Sequence, residues 1–219
     1  MRIEKAFDNT IVRVQCTDVN LYKNNDLTKA VNHVLNMPNV KRKRLGSLKQ
    51  NSQQGNGLTT VGMEYLEVAN LPGASELNAW IEQQMVAAKE LLGIDNPGNK
   101  VKFKRSWANR MFKGANGKCH QHIKVDEYIA ELTNYSYVNF RPDIVGIFYI
   151  DVPPNASKLI VINNGREYTD LSEYSEEDRH YITPVEGELI LHLPEVWHAV
   201  GTHESDLHRT CHVYDADFV

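Results

Sequence analysis

From Ile144 onward the chain is a succession of short apolar runs, each closed by turn residues. IVGIFYIDV ends in PPN, KLIVI ends in NNG, and PVEGELILHL, VWHAV and RTCHVYDADFV follow with turns between them. Runs this short, rich in β-branched and aromatic residues, read as strands rather than helices. Upstream, VKFKRSWANRMF alternates, KGANGK turns, and CHQHI resumes the strand texture. Many short strands with frequent turns restrict the chain to a double-sheet barrel or jelly roll.

The first hundred residues have a different texture. Thr10 to Cys16 alternates as a half-buried strand. Asp26 is placed to cap a helix carrying Leu27, Ala30, Val31, Val34 and Leu35 on one face. Ser75 opens a second helix, with Leu77, Trp80, Ile81, Met85, Ala88, Leu91 and Leu92 on a stripe and Gly93 at the left-handed C-terminal position. Lys, Arg, Gln, Asn and Gly dominate residues 40–57, which marks a polar loop. The fold expected is α+β: a double-stranded β-helix (jelly roll) with supporting N-terminal helices. One domain spans 1–219, with a helical support region over 1–100 and the jelly-roll core over 101–219. Residues 124–143 fit either a short helix or an insertion, and YTDLSEYSEEDRHY reads as loop or short helix.

Charge narrows the partners. A balance of 24 basic against 28 acidic residues gives net −4, which lacks the basic footprint of a nucleic-acid binder. The run Lys41 to Arg44 reads as a solvated loop. Three widely separated cysteines do not make a disulfide framework and suit a reducing compartment. No apolar run has signal or bilayer-spanning length, so a soluble intracellular protein without a membrane partner is expected. The pattern specifies no oligomeric state.

Five of the nine histidines lie between Gly187 and Val219: His192, His198, His203, His208 and His212. Upstream, His120 and His122 are two apart; on a strand, i and i+2 share a face, so both imidazoles can approach one point. A metal site needs at least a third ligand. His198, between Trp197 and Ala199 after a Pro-Glu turn, is the candidate. His192 alternates with Leu191 and Leu193 and is expected to face solvent, as are His203 and His208 in the polar GTHESDLH segment. His212 falls on the opposite face of its strand from Arg209 and Cys211, and no role is assigned to it. A hairpin after His198 would bring Arg209 alongside it, where its planar guanidinium suits a carboxylate; a surface ion pair with Glu204 or Asp206 is the competing reading. Tyr149 reads either as a core aromatic or as a second donor to that carboxylate.

These residues together resemble the 2-oxoglutarate/Fe(II)-dependent oxygenase superfamily, and its prolyl-hydroxylase-like branch of bacterial and phage proteins in particular. The resemblance runs from about Leu48 to Phe218, through LKQNSQQGNGLTT, SWANRMFKGANGKCHQH and IVGIFYIDVPPNASKLIVI. It is most specific in PVEGELILHLPEVWHAVGTHESDLHRTCHVYDADF. It implies that His120 and His198 ligate Fe(II), that Arg209 holds the distal carboxylate of 2-oxoglutarate, and that Tyr149 assists Arg209. The activity implied is oxygenation, as a hydroxylase, of an unidentified small-molecule or protein substrate.

Two departures stand out. The family's first motif is His-x-Asp or His-x-Glu, whereas position 122 is histidine. The third ligand is therefore either His122 or a carboxylate from the next segment, Asp126 or Glu127. Three-histidine iron also serves cupin-like dioxygenases that use no 2-oxoglutarate, and a non-enzymatic jelly roll holding zinc is a further alternative. The link from His122 to the GIFYI strand is also long, so that 124–143 would be an insertion.

Overall fold

In the computed structural model, which describes residues 1–38, 40, 53–54, 57–61, 67–123, 141–166 and 169–219, the strands form two antiparallel sheets. In chain order they are β1 (Arg2–Ala6), β2 (Asn9–Gln15), β3 (Gln53–Gln54), β4 (Gly57–Thr59), β5 (Val101–Met111) and β6 (Asn116–His120). After these come β7 (Ile144–Asp151), β8 (Leu159–Ile162), β9 (Arg179–Ile182), β10 (Glu188–His192), β11 (His198–Val200) and β12 (Arg209–Phe218). The larger sheet has seven strands in the order β1-β2-β10-β7-β12-β5-β4, and the smaller has five, β3-β6-β11-β8-β9. Besides a single helical turn at Val19–Tyr22, the α-helices among the described residues are α1 (Asn25–Leu35) and α2 (Ser75–Ala88). Lys41 to Arg44, most of 40–57 and of 124–143, and Asp126 and Glu127 lie outside the described residues.

Both faces of the large sheet are buried. On one face Leu27, Val31 and Leu35 of α1 and Leu77, Ile81 and Met85 of α2 pack with Val12, Phe148, Leu189, Leu191 and Tyr214. On the other, Ile11, Trp107, Val145, Ile147, Tyr149, Ile190, Cys211 and Val213 meet Leu159, Val161 and Ile182 of the small sheet. Each such aliphatic side chain contributes about 1.5–3 kcal/mol on burial. This explains β2, where Ile11, Val12, Arg13 and Val14 are all buried and the strand is not half-exposed as its alternation predicts.

Local signals were displaced by small amounts. The side chain of Asn24 caps α1 by accepting from the Leu27 N–H at 2.8 Å, and Asp26 sits inside the first turn, not at the cap. Gly93 has the left-handed φ of +70° expected, a short turn beyond the end of α2. The acidic YTDLSEYSEEDRHY stretch holds two 3-10 turns and then β9, a strand that its charges concealed. β1 was concealed in the same way, and its exposure suits the sheet edge it occupies.

The hairpin expected after His198 does not form. β11 pairs with β6 and β8, whereas β12 pairs with β5 and β7 in the other sheet. The GTHESDLH segment crosses between sheets, so His198 and Arg209 reach the space between them from opposite walls.

Candidate metal centre

His198 opens β11 and lies opposite His120, the last residue of β6, with Val161 of β8 on its other side. His122 lies just past the end of β6, and its N–H donates to the Pro194 carbonyl at 2.9 Å. Strand alternation alone therefore does not aim it; the bond to the turn before β11 does. Ring centroids are 4.3 Å apart for His120 and His198, 5.1 Å for His122 and His198, and 5.4 Å for His120 and His122.

Second partners fix the tautomers. Nδ1 of His120 lies 2.9 Å from the Lys118 carbonyl, and Nδ1 of His198 lies 2.9 Å from the Val196 carbonyl. A carbonyl can only accept, so Nδ1 carries the proton in each ring and Nε2 keeps its lone pair. Nδ1 of His122 lies 2.6 Å from Oδ1 of Asp215, a fully buried carboxylate, with the same consequence. All three rings thus offer Nε2 as a ligand, each oriented by the kind of outer partner that metal-binding histidines use.

The donor set fits a metal ion. One ligand atom from each of His120, His122 and His198 lies within 4.8 Å of the others. Even an equilateral triangle of that edge has its centre only about 2.8 Å from each corner, so sub-ångström side-chain adjustments reach the usual metal–nitrogen distance of about 2.0–2.1 Å. Burial, reinforced by the neighbouring imidazoles, pushes His120 down to about 3 and His198 well below the ordinary histidine value. Both are neutral at physiological pH, as ligation requires.

Around His122 a network extends into the large sheet. Trp107 stacks on its ring at 5.7 Å and 22°. Arg105 pairs with Asp215 and stands 5.0 Å over the Trp107 ring. Burial would raise the Asp215 carboxyl, but the Arg105 charge and the His122 contact outweigh it and hold it at about 2. Sequence reasoning missed Asp215, although the alternation that places Arg209, Cys211 and Val213 on one face of β12 also places Asp215 there.

His192 departs from expectation as well. It is 1% exposed, with ring centroids 5.0 Å from His198 and 6.1 Å from His122. Leu189 and Leu191 fill the helix-side core, so the alternation turns His192 toward the small sheet, not toward water. Its Nδ1–H donates to the Leu193 carbonyl at 2.7 Å, and Nε2 has no partner among the described residues. His203, expected to be exposed, is buried: Nδ1 accepts from Ser157 N–H at 3.2 Å and Nε2–H donates to the Leu207 carbonyl at 2.7 Å, which locks the crossing segment. His208 is exposed as expected, and His212 is buried on the helix side with neither nitrogen partnered among the described residues.

Arg209 is 2% exposed. Its Nη1 donates to the Ser157 carbonyl at 3.1 Å and to Ser157 Oγ at 2.7 Å, and Nη2 lies 3.4 Å from Cys211 Sγ. The surface ion pair weighed for it does not form among the described residues, and Asp206 pairs instead with Lys113. Among the described residues Arg209 meets no carboxylate, and its Nε is unpartnered. The guanidinium stands 5.1 Å over the ring of Tyr149, whose hydroxyl is also buried and without a partner among the described residues. Desolvation raises that phenol above its ordinary value, so it remains a donor. A fixed buried cation beside an unused hydroxyl donor suits an incoming carboxylate.

No protein-family model matches the chain, and no curated protein matches it in sequence. Solved structures do match in fold. HygX from Streptomyces hygroscopicus, with nickel, 2-oxoglutarate and hygromycin B bound, is 8% identical, with a TM-score of 0.55 over 95% of this chain and 83% of that one. The viral collagen prolyl hydroxylase of Paramecium Bursaria Chlorella virus-1, as its 2-oxoglutarate complex, is 12% identical, with a TM-score of 0.53 over 95% and 96%. A prolyl-4-hydroxylase from Pseudomonas putida is 13% identical, with a TM-score of 0.51 over 97% and 94%. The likeness is one of fold, and it extends over nearly the full length of both hydroxylases.

Proposed function

We propose that the chain is a non-haem Fe(II)- and 2-oxoglutarate-dependent oxygenase, a hydroxylase on a double-stranded β-helix, acting on a small-molecule or protein substrate. Arg209 carries this reading. A buried guanidinium without a carboxylate is costly to keep, and a dicarboxylate co-substrate explains its retention. His120, His122 and His198 would hold the iron through Nε2. Iron with bound 2-oxoglutarate supplies the oxidising chemistry with dioxygen. The chain's own residues bind and orient: Arg209 and the Tyr149 hydroxyl grip the distal carboxylate, and Ile147, Val161 and Val213 belong to the apolar core between the two sheets. No helix among the described residues is long and apolar enough to cross a membrane.

The all-imidazole ligand set favours one other reading, a three-histidine cupin-like dioxygenase without 2-oxoglutarate. Anaerobic titration of the metal-free protein with Fe(II) and then 2-oxoglutarate separates the two. A visible charge-transfer band saturating at one equivalent, and lost in Arg209→Met, supports the proposal. Tight iron binding with no band, in wild type and variant alike, transfers the assignment to the second reading.

A further inference from the structure

The structure offers a carboxylate where the sequence lacks one. A ligand set of two histidines and one carboxylate brings a negative charge to the metal, and three neutral imidazoles bring none. Yet Asp215 is fully buried and lies 2.6 Å from Nδ1 of His122. It comes from the far sheet, on the inner face of β12, and Arg105 grips its other oxygen. Trp107 stacks on the face of the His122 ring.

We propose that Asp215 supplies, one ring removed, the charge that a carboxylate ligand at position 122 would bring, so that positions 122 and 215 form a linked pair in which one member carries the negative charge. This rests on the metal-site reading above. The Nδ1–H bond polarises the His122 ring toward imidazolate and strengthens Nε2 as a donor, so Asp215 is a positioning and charge-supplying residue that does not touch the metal. It also explains how the site tolerates histidine where related sites have a carboxylate. The linkage has a sign that a merely structural role lacks. With His122 present, neutralising Asp215 removes charge the metal needs. In the H122D variant Asp215 becomes a second buried carboxylate in the same space, and neutralising it relieves repulsion.

The test is Co(II) binding to the metal-free protein, read from its visible bands and by calorimetry, for wild type, D215N, H122D and H122D/D215N, alongside melting of each metal-free protein. D215N is expected to lose about 10- to 100-fold in affinity, as outer-shell substitutions do, and to shift the bands. H122D is expected to bind weakly, and H122D/D215N to bind at least about 10-fold more tightly than H122D alone. An equal loss from D215N in both backgrounds, or none in either, overturns the linkage while leaving the metal site standing. Failure of wild type to bind Co(II) overturns both. Arg105→Gln keeps Asp215 and decides the matter should D215N not fold: unchanged or tighter Co(II) binding supports charge supply, and a loss as large as that expected of D215N refutes it.

Discussion

Arg209→Met should make the metal-free protein more stable and the co-substrate weaker, and the two signs together are the test. The side chain is buried and held by Ser157 and Cys211, with no carboxylate among the described residues. Methionine forfeits the two bonds to Ser157, worth about 1.5–3 kcal/mol each as bonds from a charged donor. Against that stands the desolvation of an unpaired guanidinium, several kcal/mol for a buried ion. Replacing buried charge by well-packed apolar atoms commonly gains about 1–4 kcal/mol, so a net gain of about 1–3 kcal/mol is expected. For a chain of this size that raises Tm by roughly 3–10 °C. The same substitution removes a buried charge-assisted pair from the bound state, a loss of about 2–5 kcal/mol, or about 30- to several-thousand-fold in 2-oxoglutarate affinity. Scanning calorimetry of both proteins without metal, and again with metal and saturating 2-oxoglutarate, reads both effects. Wild type should gain about 2.7 kcal/mol at a hundredfold excess over its Kd, and the variant less than about 1 kcal/mol at the same concentration. A variant that melts below wild type without metal, and is stabilised by 2-oxoglutarate as much as wild type is, would refute the reasoning.

Three further outcomes are expected. His198→Ala should lower metal affinity by at least about 100-fold while the metal-free protein keeps its circular dichroism spectrum, since the ring is one of the three donors found among the described residues; retained stoichiometric binding would remove His198 from the site. Gly165→Ala should cost about 1–3 kcal/mol and weaken metal binding, because its Cβ would lie 2.5 Å from Cβ and Cγ of Trp197, the neighbour of His198; an unchanged urea midpoint would show that Trp197 yields without cost. The metal-free protein should lose stability steeply on acidification, because burial holds His120 at about 3, His192 and His212 at about 4, and His198 well below its ordinary value. The unfolded chain takes up these protons near pH 6.5 and the folded chain does not, so stability falls as pH falls from about 6.5 toward 4, by up to about 1.4 kcal/mol per pH unit for each histidine. Asp215, depressed to about 2, acts only below this window, and a urea midpoint that stays flat between pH 6.5 and 5 would contradict the neutral cluster.

The three histidines that the fold brings together, and Arg209 as a buried cation, were legible because each carries a chemical type and a spacing that core packing does not need. The errors at His192, β2 and Asp215 have one physical source. Leucines on a strand mark the inside, and their neighbours the outside, only for a sheet with one wet face. The large sheet has helices on one side and a second sheet on the other, so Leu191 and His192 are both buried, on opposite faces. The same one-wet-face expectation exposed half of β2 and left Asp215 unread, although its parity with Arg209 was visible. The hairpin error is different in kind: a polar segment between two strands looks alike whether it turns within a sheet or crosses to another. His203 settles the choice by tying the segment to Ser157 and Ala115, a contact between distant parts of the chain that local sequence does not announce.

β12 carries the functional logic in one strand. Its inner face presents Arg209, Cys211, Val213 and Asp215 in succession, the two charged residues outermost. At the usual rise per residue their Cα atoms are roughly 20 Å apart, too far to pair with each other. Folding alone offers no reason to bury opposite charges at two ends of a strand and keep them separate. Asp215 is matched by His122 and Arg105, while Arg209 is left with backbone, hydroxyl and thiol contacts. The asymmetry fits a site with a metal at one end and an anion at the other. On the proposed reading, Asp215 steadies the ligand that meets the metal, Arg209 awaits a charge that no described residue supplies, and Cys211 and Val213 keep the wall between them apolar. On that account, pairing Arg209 internally should abolish co-substrate binding without touching the metal. Cys211→Asp, at a side chain whose sulfur lies 3.4 Å from Nη2 of Arg209, is a direct way to attempt it: Co(II) bands retained with the 2-oxoglutarate response lost would support the division, and loss of both together would show that the two ends are not separable.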